Sequence, residues 1–225
     1  KIESFFDQFK EFKKYNLYKN KFNIFENKKA LIFILIFMLS SSYFILPSFY
    51  NKDEIKILIK NQISKKYEID LKFNEKIGYS LLPKPFFYTK NLEILHKDKV
   101  IGNSNYTKFY ISPTNFFSLK KIKIKDLVFK NTDFEINANN IKFFKKTLYN
   151  SEKINEVFFK KSKFFYKDEN DELLFLSKID ILNFFYSEKN ELKKLKSVFE
   201  IFNVPFKLDV SKNINNDDDK KLILS

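Results

Sequence analysis

The sequence predicts a single transmembrane helix, a short amphipathic helix and then a mainly antiparallel β domain: an α+β chain that is mostly β. Three observations carry this. Ala30 to Tyr50, ALIFILIFMLSSSYFILPSFY, runs 21 residues without a charge. The segment after it spaces apolar residues at i, i+3 and i+4, the period of a helix with one apolar face. From Glu68 onward apolar and polar residues alternate, the period of a strand half-buried in a sheet.

Ala30–Tyr50 would span roughly 30 Å as a helix, about the thickness of a bilayer's hydrocarbon core. A cleaved signal peptide fits less well. The run exceeds the usual apolar core of roughly 7–15 residues, and 29 residues precede it. Those residues, 1–29, read as a cytoplasmic tail. Ile2, Phe5, Phe6, Phe9 and Phe12 fall at helical spacing among Lys10, Lys13 and Lys14, the pattern of an interfacial helix; a loosely ordered tail is the other reading. Local lysines do not set the orientation. Five lie between Lys14 and Lys29 and five between Asn51 and Lys66. The long folded domain favours tail inside and domain outside, because long domains translocate largely regardless of charge. Pro47 is placed to kink or end the helix. Tyr43, Phe49 and Tyr50 suit an aromatic belt.

Residues 51–67 form the predicted amphipathic helix. Ile55, Leu58, Ile59, Gln62 and Ile63 share a face, lysines cover the other, and Asp53 and Glu54 suit the positive N-terminal end. The apolar stripe must pack on the sheet that follows or on a membrane surface. Residues 68–225 form the β domain. Alternation marks strands at Ile69–Phe73, Leu92–Ile94, Thr107–Ile111, Ile122–Ile124, Leu127–Phe129, Phe134–Ile136 and Phe206–Val210, with a phase shift at Asp126 that suggests a bulge. Turns are expected at Pro83–Pro85, Ile101–Asn103, Ser112–Thr114 and Asp168–Asp171. The runs at 157–159, 164–166, 173–176 and 184–186 are apolar on both faces. Either both faces are covered, or one meets something apolar that is not protein. Asp217–Asp219 read as a solvated turn.

Net charge is +14, and all 42 basic residues are lysine. Abundant Lys, Asn, Ile, Phe and Tyr with two glycines is the composition of an AT-rich gene. Evenly spread lysine without arginine argues against nucleic acid as a partner, since base readout favours bidentate arginine and a clustered patch. No cysteine is present, so there is no disulfide, thiol nucleophile or cysteine metal site. One histidine, His96, cannot build a metal site alone and reads as a surface residue beside Lys97 and Lys99. With glycine only at 78 and 102, a phosphate-cradling loop is excluded. No carboxylate pair stands out. No catalytic residue, cofactor or metal is expected, and the chain does not read as an enzyme.

Residues 57–136 resemble the AsmA family of bacterial envelope proteins. An apolar span leads straight into a helix and first strand, IKILIKNQISKKYEIDLKF (55–73). IGYSLLPKP (77–85) gives a strand followed by a Leu-Leu-Pro-x-Pro turn. A strand, then SPTNFFS (112–118), then IKIKDLVFKNTDFEI (122–136) completes the pattern. Residues 154–210 are similar in style only, as repeated hairpins ending near NVPFKL. Scarce glycine and lysine-heavy turns depart from the family. Its members are usually longer, so the chain reads as an N-terminal portion. The resemblance implies a single inner-membrane span and a periplasmic antiparallel sheet curved into a groove. It implies a role in guiding phospholipid and supporting outer-membrane assembly. Leu71, Phe73, Leu92, Ile94, Phe109, Ile122 and Ile124 are the candidates for a groove lining that would take acyl chains. The alternative is a bitopic envelope scaffold that binds protein partners and carries no lipid.

Overall fold

The computed structural model describes residues 28–144, 156–187, 192–213 and 220–224. The N-terminal segment 1–27, with its expected interfacial helix, and Asp217–Asp219 lie outside the described residues. The chain divides into two compact units, 1–43 and 44–225.

Helix α1, Lys28–Ile45, continues as a 3-10 turn over Leu46–Phe49. Together these 22 residues form one helix long and apolar enough to cross a membrane, with its side chains almost all exposed. Pro47 sits in the 3-10 turn, where the α-helical ladder has already ended.

Helix α2, Lys52–Tyr67, is capped by the Asn51 side chain, which accepts from the amides of Asp53 (2.9 Å) and Glu54 (3.4 Å). Glu68, left-handed at φ 57°, ends it. Ile55, Ile59, Ile63 and Tyr67, spaced at i+4, are buried. The stripe packs on the sheet. Gln62 clamps the chain entering a strand: its amide donates to the Ile122 carbonyl (2.7 Å) and its oxygen accepts from the Ile124 amide (2.9 Å).

Ten strands are described: β1 Asp70–Phe73, β2 Gly78–Ser80, β3 Phe86–His96, β4 Lys99–Ile111, β5 Ile124–Ile136, β6 Glu156–Lys167, β7 Leu173–Ser187, β8 Leu192–Ile201, β9 Val204–Asn213 and β10 Lys220–Leu224. They form one open sheet in the order β1-β3-β4-β5-β6-β7-β8-β9-β10, with β2 also on β3. All pairs are antiparallel except β5–β6, which is parallel. Alternation reports which face a residue occupies but not the direction of the neighbouring strand, so the parallel pair was invisible in the pattern. The Asp126 phase shift is a bulge: Tyr110 pairs with Asp126 and Ile111 with Ile124, leaving Lys125 extra.

Cross-strand partners share a face. One row on the inner face reads Phe87, Phe109, Leu127, Val157, Phe184, Leu195, Val210. The next reads Thr89, Thr107, Phe129, Phe159, Leu182, Ser197, Leu208. Phe87, Thr89, Thr107 and Phe109 are buried, whereas Phe159 in mid-row and Leu195, Val210 and Leu208 at the far ends are half-exposed. A stripe of small hydroxyl residues crosses this face. Ser104 Oγ receives Thr107 Oγ1 at 2.9 Å and Thr132 Oγ1 at 2.8 Å, and Ser162 is buried beside them. Next to the stripe the ladder skips positions at Asn91, Asn105, Asn131 and Lys161. Asn91, Asn131 and Lys161 are left-handed there and redirect their strands.

Both glycines serve close approach. Gly78 pairs with Tyr88, and a Cβ there would collide with the Tyr88 ring. Gly102 pairs with Phe134, and a Cβ there would lie 2.6 Å from Phe134 Cδ1. The turn expected at Ile101–Asn103 is therefore corrected. These residues lie inside β4, and Gly102 marks space for a ring rather than a change of direction. Gly102→Ala is expected to displace Phe134 and cost about 1–3 kcal/mol, the range for overpacking a filled interior. Chemical denaturation in detergent, beside Ile59→Ala at about 2–5 kcal/mol, checks it.

Candidate functional site

The inner face holds a cavity of about 290 Å³ that begins at the C-terminal end of α2. Its floor is Leu127, Phe129, Phe134 and Ile136 of β5, Val157, Phe159, Phe164 and Tyr166 of β6, and Leu182 and Phe184 of β7. Tyr67 at the end of α2, Ile69, Ile94 and Ile101 form one wall. Ile141, Phe143 and Phe144, from the crossover that the parallel β5–β6 pair requires, overhang it.

Phe134 is the hub of the floor. Its ring stands edge-on to Phe159 (5.4 Å), Phe164 (5.3 Å) and Phe144 (6.0 Å), the arrangement aromatic quadrupoles favour. Phe129 stacks on Phe159 at 5.3 Å. Gly102, opposite Phe134 on β4, leaves the room that lets this ring lie over the strand.

The overhang is fixed by its own side chains. Asn137 Oδ1 accepts from the amides of Asn139 (3.1 Å) and Asn140 (3.2 Å). Asn140 Oδ1 accepts from the Asn137 amide (2.9 Å), and its Nδ2 donates to the Glu135 carbonyl (2.8 Å). Phe143 stacks on the His96 ring at 4.0 Å. His96 Nδ1 lies 3.1 Å from the Glu68 carbonyl, which can only accept, so Nδ1 carries the proton. His96 thus ties the overhang to the end of α2 and is more than a surface residue.

The titratable groups of the lining are two tyrosines. Burial pushes the Tyr67 hydroxyl well above its ordinary range, and the charge of Asp126 adds to this. Burial also raises Tyr166, whose ring stacks on Phe175 at 4.1 Å. Burial raises Asp126 too, against the pull of Lys84, Lys125 and Lys66. Such a lining can shelter apolar matter from water and discriminates by shape rather than charge.

The structure separates the seven candidates chosen from sequence. Ile94 lines the cavity. Leu71, Leu92, Phe109 and Ile122 are at most 2% exposed, packed in the core closed by α2. Phe73 is half-buried with its ring 6.2 Å from Phe109. Ile124 borders a separate shallow recess with Gln62, Ile63, Lys65 and Lys66. The cavity floor came instead from residues not selected: Phe129, Phe134, Phe159, Phe164 and Leu182. The doubly apolar runs at 157–159 and 164–166 signal Phe159 and Phe164; Phe129, Phe134 and Leu182 carry no such signal.

The site defines an open, mostly antiparallel β-sheet bearing an apolar cavity, in a chain whose described residues include one helix long and apolar enough to cross a membrane. No protein-family model matches the chain, and no curated protein matches it either.

Burial of the Tyr67 hydroxyl makes stability depend on pH. Its folded pKa lies above the unfolded value of about 10, so its contribution to stability is complete below that pH and is lost as pH rises past it. Tyr67→Phe is expected to lose less stability than the parent between about pH 9 and about pH 11. Denaturation midpoints followed with tyrosinate absorbance check this.

Proposed function

We propose that this is a membrane-anchored protein of AsmA type that holds phospholipid acyl chains against the apolar inner face of its sheet. α1 is the single inner-membrane span, the tail is cytoplasmic and the β domain is periplasmic. There it guides lipid in support of outer-membrane assembly. The observation that carries this reading is the cavity over β5–β7, beside which Leu195 of β8 and Leu208 and Val210 of β9 stay half-exposed on the same face. Its volume of about 290 Å³ lies at the low end of small-molecule pockets, roughly 300–1,000 Å³. It suits a length of acyl chain while the head group stays in water.

A second reading, the bitopic scaffold, draws on the part of the inner face nearest α2. There Ile55, Ile59, Leu92 and Phe109 are fully buried. The two readings differ over the far part alone.

A photo-crosslinking amino acid placed at Phe159 or Phe164 is expected to capture phospholipid from membranes. The same group at Lys163, on the outer face, is not. Phe159→Asp combined with Leu182→Asp is expected to cut the lipid crosslinked at Phe164 by about tenfold or more, because acyl chains would have to bury unpaired charge. Crosslinks to protein alone from the inner positions, or equal lipid capture from Lys163, would favour the scaffold.

A further inference from the structure

Three connections converge where the chain leaves its apolar helix, and all lie within the 44–225 unit. The first is the 3-10 turn Leu46–Phe49. The second is the β2–β3 turn, residues 81–85, and the third is the β4–β5 connection, residues 112–123. They are pinned together. The Tyr79 hydroxyl donates to the Phe44 carbonyl at 2.6 Å. The Tyr50 hydroxyl donates to the Phe116 carbonyl. Phe116 is fully buried, with its ring edge-on to Phe44 at 6.1 Å. The Ile111 amide donates to the Pro85 carbonyl (3.0 Å), which ties the second connection to the third.

Each connection nevertheless turns one large apolar residue outward. Phe49 is 80% exposed, Leu82 77% and Phe117 80%. Lone exposed apolar side chains are ordinary on a protein surface. Three on adjoining connections, beside the end of a helix long enough to cross a membrane, are not. The charges agree. Residues 46–51, 81–85 and 112–123 contain Lys84, Lys120, Lys121 and Lys123 and no acid. The acids nearby are accounted for separately. Asp53 pairs with Lys56 at 3.2 Å, Glu54 lies at the positive end of α2, and Asp126 and Glu156 are part-buried at the starts of β5 and β6.

We propose that this end of the β domain is a membrane-docking surface. Phe49, Leu82 and Phe117 enter the interfacial layer of the bilayer, and Lys84, Lys120 and Lys121 meet anionic head groups. The occupant is the lipid surface rather than a protein, because the patch adjoins a segment of bilayer-spanning length and is basic throughout. Docking would hold the sheet against the membrane by more than a tether. The proposal rests on α1 being a span, and the experiment separates the two.

The chain lacks cysteine, so a single introduced thiol carries the only label. The full chain with Ser118→Cys is labelled with an environment-sensitive dye and reconstituted in phosphatidylcholine–phosphatidylglycerol vesicles. Asn170→Cys, in the turn at the opposite end of β6, is the control. Lipids carrying a quencher at the head of the acyl chain are expected to quench the Ser118 label about twofold or more beyond the control, with a blue-shifted emission. Leu82→Asp with Phe117→Asp should bring the label to the control value. Both sites are exposed, and an unchanged denaturation midpoint confirms that the fold is kept. Lys84, Lys120 and Lys121→Gln should weaken quenching in anionic vesicles. A chain that resists alkaline extraction yet keeps its Ser118 label in water would overturn docking and leave the span intact. A chain that washes off at alkaline pH would overturn the span itself.

Discussion

The constraint on which the structure depends is an apolar sheet face wider than the helix provided to cover it. Nine strands in the main path, β1-β3 through β10, leave eight steps, about 38 Å at roughly 4.8 Å each. Helix α2 has 16 residues, about 24 Å long and roughly 10 Å across. In whichever direction it lies, part of the face stays uncovered. Burial follows this arithmetic. Ile55, Ile59 and Ile63 have no exposed surface to speak of, whereas Leu195, Leu208 and Val210 of β8 and β9 are half-open. The crossover before β6 brings Ile141, Phe143 and Phe144 over the boundary between the two regimes, and the cavity lies beneath them.

A chain almost without glycine has to bend its sheet and fit its rings by other means. Asparagine supplies left-handed residues at 91 and 131, where its short polar side chain tolerates them, and lysine supplies one at 161. Small hydroxyl residues fill the inner face beside those positions, and the Ser104–Thr107–Thr132 hydrogen bonds satisfy groups that would be costly to bury alone. The two glycines stand where only a missing Cβ will do, under the rings of Tyr88 and Phe134. The outer face carries the charge instead. Lys178–Glu200 (2.7 Å), Lys72–Glu93 (3.0 Å) and Lys196–Asp209 (3.3 Å) are exposed cross-strand pairs, each of small energetic weight. Their use is to keep that face in water.

Much of this is legible in the sequence. The uncharged run, the Ile55–Ile59–Ile63 stripe, the onset of alternation near Glu68 and the bulge beside Asp126 are local signals, each set by side chains close in sequence. What was hidden depends on partners far apart. Leu71, Leu92 and Phe109 have the same alternation as Phe129 and Phe159, and only the placement of α2 decides which are sealed and which line a cavity. Gly102 looked like a turn because its reason, Phe134, lies on another strand. His96 looked solitary because Phe143 reaches it through the β5–β6 crossover. Phe49, Leu82 and Phe117 are unremarkable apart and become a surface once three connections meet.

The central claim is that α2 closes one part of the inner face and leaves the rest open to apolar ligand. Alkylation rates of single cysteines along one row test it most directly: Thr107→Cys, Phe129→Cys, Phe159→Cys and Leu208→Cys, each in the otherwise cysteine-free chain. The expected result is a rate that rises steadily from position 107 to position 208, and added phospholipid that slows the far positions and leaves the near ones unchanged. Uniform protection out to 208, or rates indifferent to lipid, would contradict it.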